Sequence, residues 1–555
     1  MAPANAVANE VRRKSRSKGA PAAAPRHTAG RADPSEQESR TGIRRHLPLI
    51  VLLAVLAAFH IVSMPKFLYP GDAFAARAES AQLLTTGQLG LPYSFKQEEP
   101  TWVQPRGQYF YENDARQRVF SKYGIGYTVL FVPVMWAERA YAGRLALLSD
   151  TQSLLVILNI YNVFFTLVIA GYLYQAAGLY AKQSALRVGF VLVALYATYV
   201  WHYLRAPSLD IFQMAGFLGF TYHMLRFLRS GDAIAAGARA PWWHGAAAMT
   251  YAGVLVLLKP FFAILFPIGF IFAGLVGTSQ ARAGVRLRQN LTAQTARYAG
   301  YLGAPAAILI AVWLLVNHYK FGSMFNMGYS QWLDAQGLVH DRWGLGFFPA
   351  AASGFLLKSG NQNVFIHNPV FLFALLGWPV FARKWQMDSL FLAVIVLSNI
   401  LALCFFSSWT GEWCYGPRYL VHALLVGSLP FIETWALIQR WRSSVLRWGA
   451  QMAIVITLSW SLVVQVNMNS LNYFTYFSLK SLFAGAKSPA IDAYFDDTFC
   501  RGLLYKDLRD FDKGGKSYYP LDVVRFSLPP QRAGFLQELT DQLHQFARPN
   551  YYFFP

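Results

Sequence analysis

Residues 245–277 read GAAAMTYAGVLVLLKPFFAILFPIGFIFAGLVG, 33 positions whose single charge, Lys259, is followed at once by Pro260. As one helix this run would be about 50 Å long, against a hydrocarbon core near 30 Å. A charge at the bilayer centre costs about 3 kcal/mol or more, and proline breaks the helix ladder. The stretch therefore reads as two membrane helices that meet at a polar surface, with Lys259-Pro260 at the junction.

Further apolar runs lie at 47–64, 152–175, 188–204, 210–228, 299–316, 369–382, 388–406, 419–437 and 449–468. With the halves 244–258 and 260–277 they make eleven. Composition agrees: of 555 residues 55% are hydrophobic and only 14% charged, where a soluble domain averages about 25% charged. The net charge of +21 does not call for nucleic acid, because the basic residues cluster in short loops between apolar runs, as the positive-inside rule requires. The three cysteines, Cys404, Cys414 and Cys500, are too few for a disulfide framework and lack zinc-site spacing.

Loop charge sets the topology. Residues 1–45 read as a disordered, basic, cytoplasmic tail. Lys182 and Arg187; Arg226, Arg229 and Arg239; Arg282, Arg286 and Arg288; Arg383 and Lys384; and Arg440, Arg442 and Arg447 all fall on the cytoplasmic side if the chain crosses eleven times. Residues 123–136, with Gly124, Gly126 and Pro133, must then form a re-entrant or interfacial segment. The expected fold is an all-α polytopic bundle over 46–468 with outer loops at 65–151 and 317–368. An extracytoplasmic C-terminal region follows at 469–555.

Chemistry-bearing residues collect on the outer side. Asp72 is placed to cap an alanine-rich helix that shares one face with Glu79 and is expected to lie along the membrane surface. Asp72 reads equally as a general base or as a helix cap. Arg205 and Asp210 flank a second outer junction, and the bland reading there is snorkelling and capping. Lys259 is the third feature. The fourth is Trp409-Thr410-Gly411-Glu412-Trp413-Cys414-Tyr415-Gly416-Pro417-Arg418-Tyr419. An aromatic belt has no need of Gly-Pro-Arg, whereas arginine suits bidentate phosphate contact. Lys320 and Lys358 bind anions or are simply solvated. Carboxylates and cations on one face suit transfer from a lipid phosphate: a carboxylate takes a proton from an acceptor hydroxyl and cations offset charge on the departing phosphate.

Several of these segments resemble a known family. They are Gly71-Asp72 to Glu79, Ser121-Lys122-Tyr123-Gly124-Ile125-Gly126, Lys259-Pro260, Tyr319-Lys320-Phe321-Gly322-Ser323 with Gly328-Tyr329, and Trp409 to Tyr419. Over residues 47–468 the chain resembles the GT-C superfamily of membrane glycosyltransferases, in particular bacterial relatives of protein O-mannosyltransferases and aminoarabinose transferases. The resemblance implies an inverting hexosyl- or pentosyltransferase of the bacterial inner membrane. Its donor would be a polyprenyl-phosphate sugar, and its acceptor a glycan, lipid or protein on the extracytoplasmic side. It makes Asp72 the base and Asp210 the second acidic position. Glu79, Arg205, Lys259, Lys320, Arg418 and Tyr415 are the expected substrate and phosphate contacts. The chain departs from metal-dependent relatives in having no Asp-Glu or Asp-x-Asp pair at Asp72, which leaves a divalent cation without an assigned site. A transporter or flippase of a lipid-linked sugar would use the same cations without a base. It would be expected to show paired halves, and none is seen.

Overall fold

The computed structural model describes residues 34–64, 72–95, 109–142, 152–205, 208–235, 242–282, 287–331, 344–357, 362–406, 409 and 416–470. The side chains at 34–45, 72, 142, 152, 230–235, 242, 276–299, 467–468 and 470 are not among those described. Two compact units divide between Leu47 and Pro48. In the first, the described backbone is helical from Pro34, twelve residues before the expected start of structure at 46. The second is Pro48–Pro555 and carries every later element from Asp72 onward.

Seventeen α-helices lie among the described residues. In chain order they begin with α1 (Pro34–Val62), α2 (Asp72–Thr86), α3 (Ile125–Ala142), α4 (Gln152–Ala177), α5 (Ser184–Tyr196) and α6 (Val200–Arg205). Then come α7 (Asp210–Ala235), α8 (Trp242–Leu258), α9 (Leu265–Arg282), α10 (Leu287–Phe321), α11 (Phe348–Leu356) and α12 (Val364–His367). The last are α13 (Pro369–Lys384), α14 (Gln386–Cys404), α15 (Val421–Gly427), α16 (Phe431–Gln439) and α17 (Ser444–Ser470). Each of the eleven apolar runs falls on helix. Among the described residues four stretches, Ser153–Ala177, Gly300–Phe321, Gln386–Cys404 and Ser444–Val466, are long and apolar enough to cross a membrane, and Arg418–Gly427 with Phe431–Gln439, bent by 40°, passes the same test when taken as one broken span. Shorter apolar helices include Trp243–Leu258 and Pro260–Leu275. The protein is a multi-pass membrane protein.

The break in the opening stretch falls where expected. Helix α8 ends at Leu258, Lys259 is extended with φ −147° and ψ 119°, and Pro260–Ile264 forms a 3-10 turn that leads into α9. The run at 188–204, expected to be one span, is instead broken between α5 and α6. There Thr198 Oγ1 donates to the Ala194 carbonyl at 2.7 Å, and the Tyr199 N–H leaves the helix for the His367 carbonyl at 3.0 Å.

Polar residues mark both ends of α7. At its far end Arg229 donates from Nε to Asp388 Oδ2 at 2.8 Å and from Nη1 to the Leu179 carbonyl at 2.7 Å, with Nη2 in ion-pair range of Asp388 Oδ2 at 2.7 Å. The guanidinium sits 4.3 Å from the centre of Trp385 and 4.7 Å from that of Tyr180. Nearby in sequence, Lys384 pairs with Glu433. Segments that loop charge assigned to one side (after α4, late α7 and the α13–α14 turn) thus meet at one end of the bundle. Asp210 opens the other end. The nineteen helical steps from Asp210 to Arg229 rise about 29 Å, close to the thickness of a hydrocarbon core.

Two expectations for the outer loop change. Helix α2 is buried from Ala73 to Ala81, so it is embedded rather than laid along a surface. Its alanines are small enough to let the backbone pack closely on α3. The loop also contains a small antiparallel sheet of order β1-β3-β2, from β1 (Leu91–Pro92), β2 (Phe110–Asn113) and β3 (Arg118–Ser121). Tyr111 pairs with Phe120 and Glu112 with Val119. The hairpin turn closes with Asn113 Oδ1 accepting from the Arg116 N–H at 3.1 Å and Gln117 in the left-handed region at φ 52°. Gln331 brackets the outer edge of β2: its side chain accepts from the Glu112 N–H at 2.8 Å and donates to the Glu112 carbonyl at 2.7 Å.

Candidate functional site

The Gly124-Ile125-Gly126 start of α3 is the structural hub. A Cβ on Gly124 would lie 2.1 Å from the Leu257 carbonyl oxygen, and one on Gly126 would lie 2.8 Å from Leu258 Cδ2. Only glycine lets the first turn of α3 press against the last residues of α8. That contact sets α3 directly beside the Lys259-Pro260 break.

From there α3 reaches two ion pairs, one of them fully buried. Thr128 Oγ1 donates to Glu79 Oε2 at 2.7 Å, and Lys320 Nζ donates to the same oxygen at 3.0 Å and to the Tyr123 carbonyl at 3.1 Å. Glu79 is 0% exposed and Lys320 1%. The Lys320 carbonyl in turn accepts from Asn113 Nδ2 at 3.0 Å, which fastens the hairpin to the end of α10. One residue before Thr128, the Tyr127 hydroxyl accepts from Gln213 Nε2 at 2.8 Å. Gln213 Nε2 also lies 3.5 Å from Asp210 Oδ1, while Arg418 Nε donates to Asp210 Oδ2 at 2.9 Å. The Asp210 side chain is 2% exposed and that of Arg418 19%.

Lys259 completes the second cluster. Its Nζ stands 3.8 Å above the Tyr419 ring, and the Arg418 guanidinium is 6.0 Å from the same ring. Two cations therefore lie close to one aromatic ring, one of them oriented by a carboxylate. Such a site can hold a phosphate: a guanidinium suits the geometry of phosphate oxygens, and a lysine over a ring is a compact positive charge.

The expected site residues thus divide. Asp210, Lys259 and Arg418 come together at one end of the bundle. Glu79 and Lys320 meet each other inside the protein, which gives Lys320 an internal carboxylate in place of an open anion site. Arg205 Nε donates to the Ser63 carbonyl at 2.8 Å and its Nη1 to the Asn469 carbonyl, so it ties the ends of α1 and α17 to α6. Asp72 opens α2, two turns before Glu79, but its side chain lies outside the described residues, as do Tyr415 and Lys358. Gln213 and Tyr127 had no signal in the sequence, since a glutamine and a tyrosine on apolar helices carry no spacing pattern. Lys122 lies within the Ser-Lys-Tyr-Gly segment. Its Nζ lies 5.1 Å from the ring centre of Tyr329, 5.4 Å from Tyr123 and 5.9 Å from Tyr109. Among the described residues no group of three or more His, Cys, Asp or Glu side chains could hold a metal ion.

No family profile and no curated protein matches the sequence. Among solved structures the chain is similar to the apo crystal structure of the Archaeoglobus fulgidus oligosaccharyltransferase, with 12% identity and a TM-score of 0.49, over 82% of this chain and 60% of that one. It is also similar to ArnT from Cupriavidus metallidurans, crystallised with undecaprenyl phosphate, with 14% identity and a TM-score of 0.45, over 87% of this chain and 76% of that one. The apo state of ArnT gives 14% identity, a TM-score of 0.46, and coverage of 88% and 76%. The chain spans 60% of the length of the archaeal enzyme. At such identities residue roles do not transfer from either protein.

Proposed function

We propose that this protein is an inverting glycosyltransferase of the bacterial inner membrane. It moves a hexose or pentose from a polyprenyl-phosphate donor to an acceptor hydroxyl on the extracytoplasmic side, with its N-terminus in the cytoplasm. The observation that carries this reading is the Asp210–Arg418 pair beside Lys259 and Tyr419 at one end of the helical bundle. In the reaction the acceptor oxygen attacks the anomeric carbon and its proton passes to Asp72. The bond from that carbon to the phosphate oxygen breaks, and polyprenyl phosphate leaves with the electron pair. Arg418 and Lys259 offset the charge that grows on the leaving phosphate. Asp210 serves here to hold Arg418 rather than to act as a second base, because its carboxylate is already bonded to the guanidinium. A donor anchored in lipid explains why these groups sit at the end of membrane helices.

The test is transfer by the purified protein in nanodiscs, supplied with polyprenyl-phosphate-linked hexoses and pentoses and assayed for release of polyprenyl phosphate. Asp72→Asn should fold normally and lose transfer by about 100-fold or more. Full activity in that variant would remove Asp72 as the base. Movement of the intact lipid across vesicles with no glycosidic bond formed would instead establish a flippase.

A further inference from the structure

We infer that Tyr199 is a positioning residue for Arg418, an inference that rests on the phosphate-binding role proposed above. Tyr199 stands in the break between α5 and α6 and is fully buried at 0% exposure. It touches the Gly-Pro-Arg turn twice. Its ring fills the space over Gly416, where a Cβ would come within 2.7 Å of the ring and where φ is +68°, a value that favours glycine. Its hydroxyl donates to the Pro417 carbonyl at 3.2 Å.

The turn itself is tight. Pro417 has φ −74° and ψ 72°, and the Arg418 N–H donates back to the Gly416 carbonyl at 2.8 Å. This is an inverse γ-turn with proline at its centre. The Pro417 carbonyl also accepts from the Leu420 N–H at 2.8 Å, the first bond of the 3-10 turn Arg418–Leu420. A carbonyl has two lone pairs, and the Tyr199 hydroxyl takes the second. Tyr199 is anchored in turn, because its N–H donates to the His367 carbonyl and its ring meets the His367 ring edge-on at 6.1 Å.

Gly416 and Pro417 are buried while Arg418 is partly exposed. The guanidinium is thus the accessible tip of a turn held from beneath by Tyr199 and from the side by Asp210. Fixing the turn before a ligand arrives lowers the ordering entropy that binding must overcome.

The experiment measures binding of a C55 polyprenyl phosphate, and of the neutral polyprenol of the same length, to the full chain in detergent. Arg418→Ala should weaken binding of the phosphate and leave the alcohol unchanged. Tyr199→Phe keeps the ring and removes the hydroxyl. It should weaken phosphate binding about five- to tenfold, the equivalent of one net hydrogen bond, with the alcohol and the melting temperature unchanged. Gly416→Ala should weaken phosphate binding at least as much. Wild-type phosphate binding in both Tyr199→Phe and Gly416→Ala, with Arg418→Ala defective, would overturn the positioning role and leave the phosphate site standing. Parallel losses for phosphate and alcohol would overturn it too. Equal phosphate binding by wild type and Arg418→Ala would instead remove the phosphate reading.

Discussion

At Gly124 a single hydrogen atom decides a contact. The position faces the Leu257 and Leu258 carbonyls with no room for a methyl group. Gly124→Ala should therefore force α3 away from α8 and destabilise the protein by about 1–3 kcal/mol, the usual cost of overpacking, read as a lowered melting temperature in detergent. A wild-type melt would mean that the contact is slack. The glycine was legible in the sequence as part of Ser-Lys-Tyr-Gly-Ile-Gly, but its partner was not. Asp210 shows the same limit. Its place at an outer junction could be read along the chain, whereas its role turned on which residue lay across from it. Arg418 is 208 positions away, and in the proposed reaction its guanidinium makes the carboxylate an anchor.

Helices α2 and α10 meet through one buried pair. Sequence spacing set Glu79 on a common face with Asp72, and that periodicity suggested a surface helix. Alanines at 73, 75, 76, 78 and 81 are all buried instead, so the helix is enclosed, and Glu79 needs an internal partner. Removing one member of such a pair leaves an uncompensated charge away from water. Lys320→Met should cost about 3–5 kcal/mol, measured by thermal or denaturant unfolding. The double variant Lys320→Met with Glu79→Gln should recover much of that loss. If the single variant melts like wild type, the pair does not clasp α2. Because α2 begins at Asp72, a loosened clasp should also lower transfer in the proposed reaction.

For the molecule as a whole, the two polar ends of α7 are about one hydrocarbon thickness apart. The eleven-crossing topology expected from loop charge places them on opposite sides of the membrane. In a background whose native cysteines are replaced by serine, Ala115→Cys in the exposed hairpin turn and Ser443→Cys in the exposed α16–α17 turn report the two ends. In sealed vesicles a membrane-impermeant maleimide should label one and not the other, with the pattern reversed in inverted vesicles. Labelling of both from one side would refute the arrangement. The sequence by itself determined the membrane class, the break at Lys259-Pro260 and the grouping of loops by charge. Hydropathy, proline and charge act over a few residues, so those features can be read along the chain. Only the tertiary structure decided that Glu79 pairs with Lys320, that Asp210 pairs with Arg418 and that Tyr199 seats the Gly-Pro-Arg turn. Each of these joins segments about 200 residues or more apart, and such contacts depend on how helices pack, which no local pattern encodes.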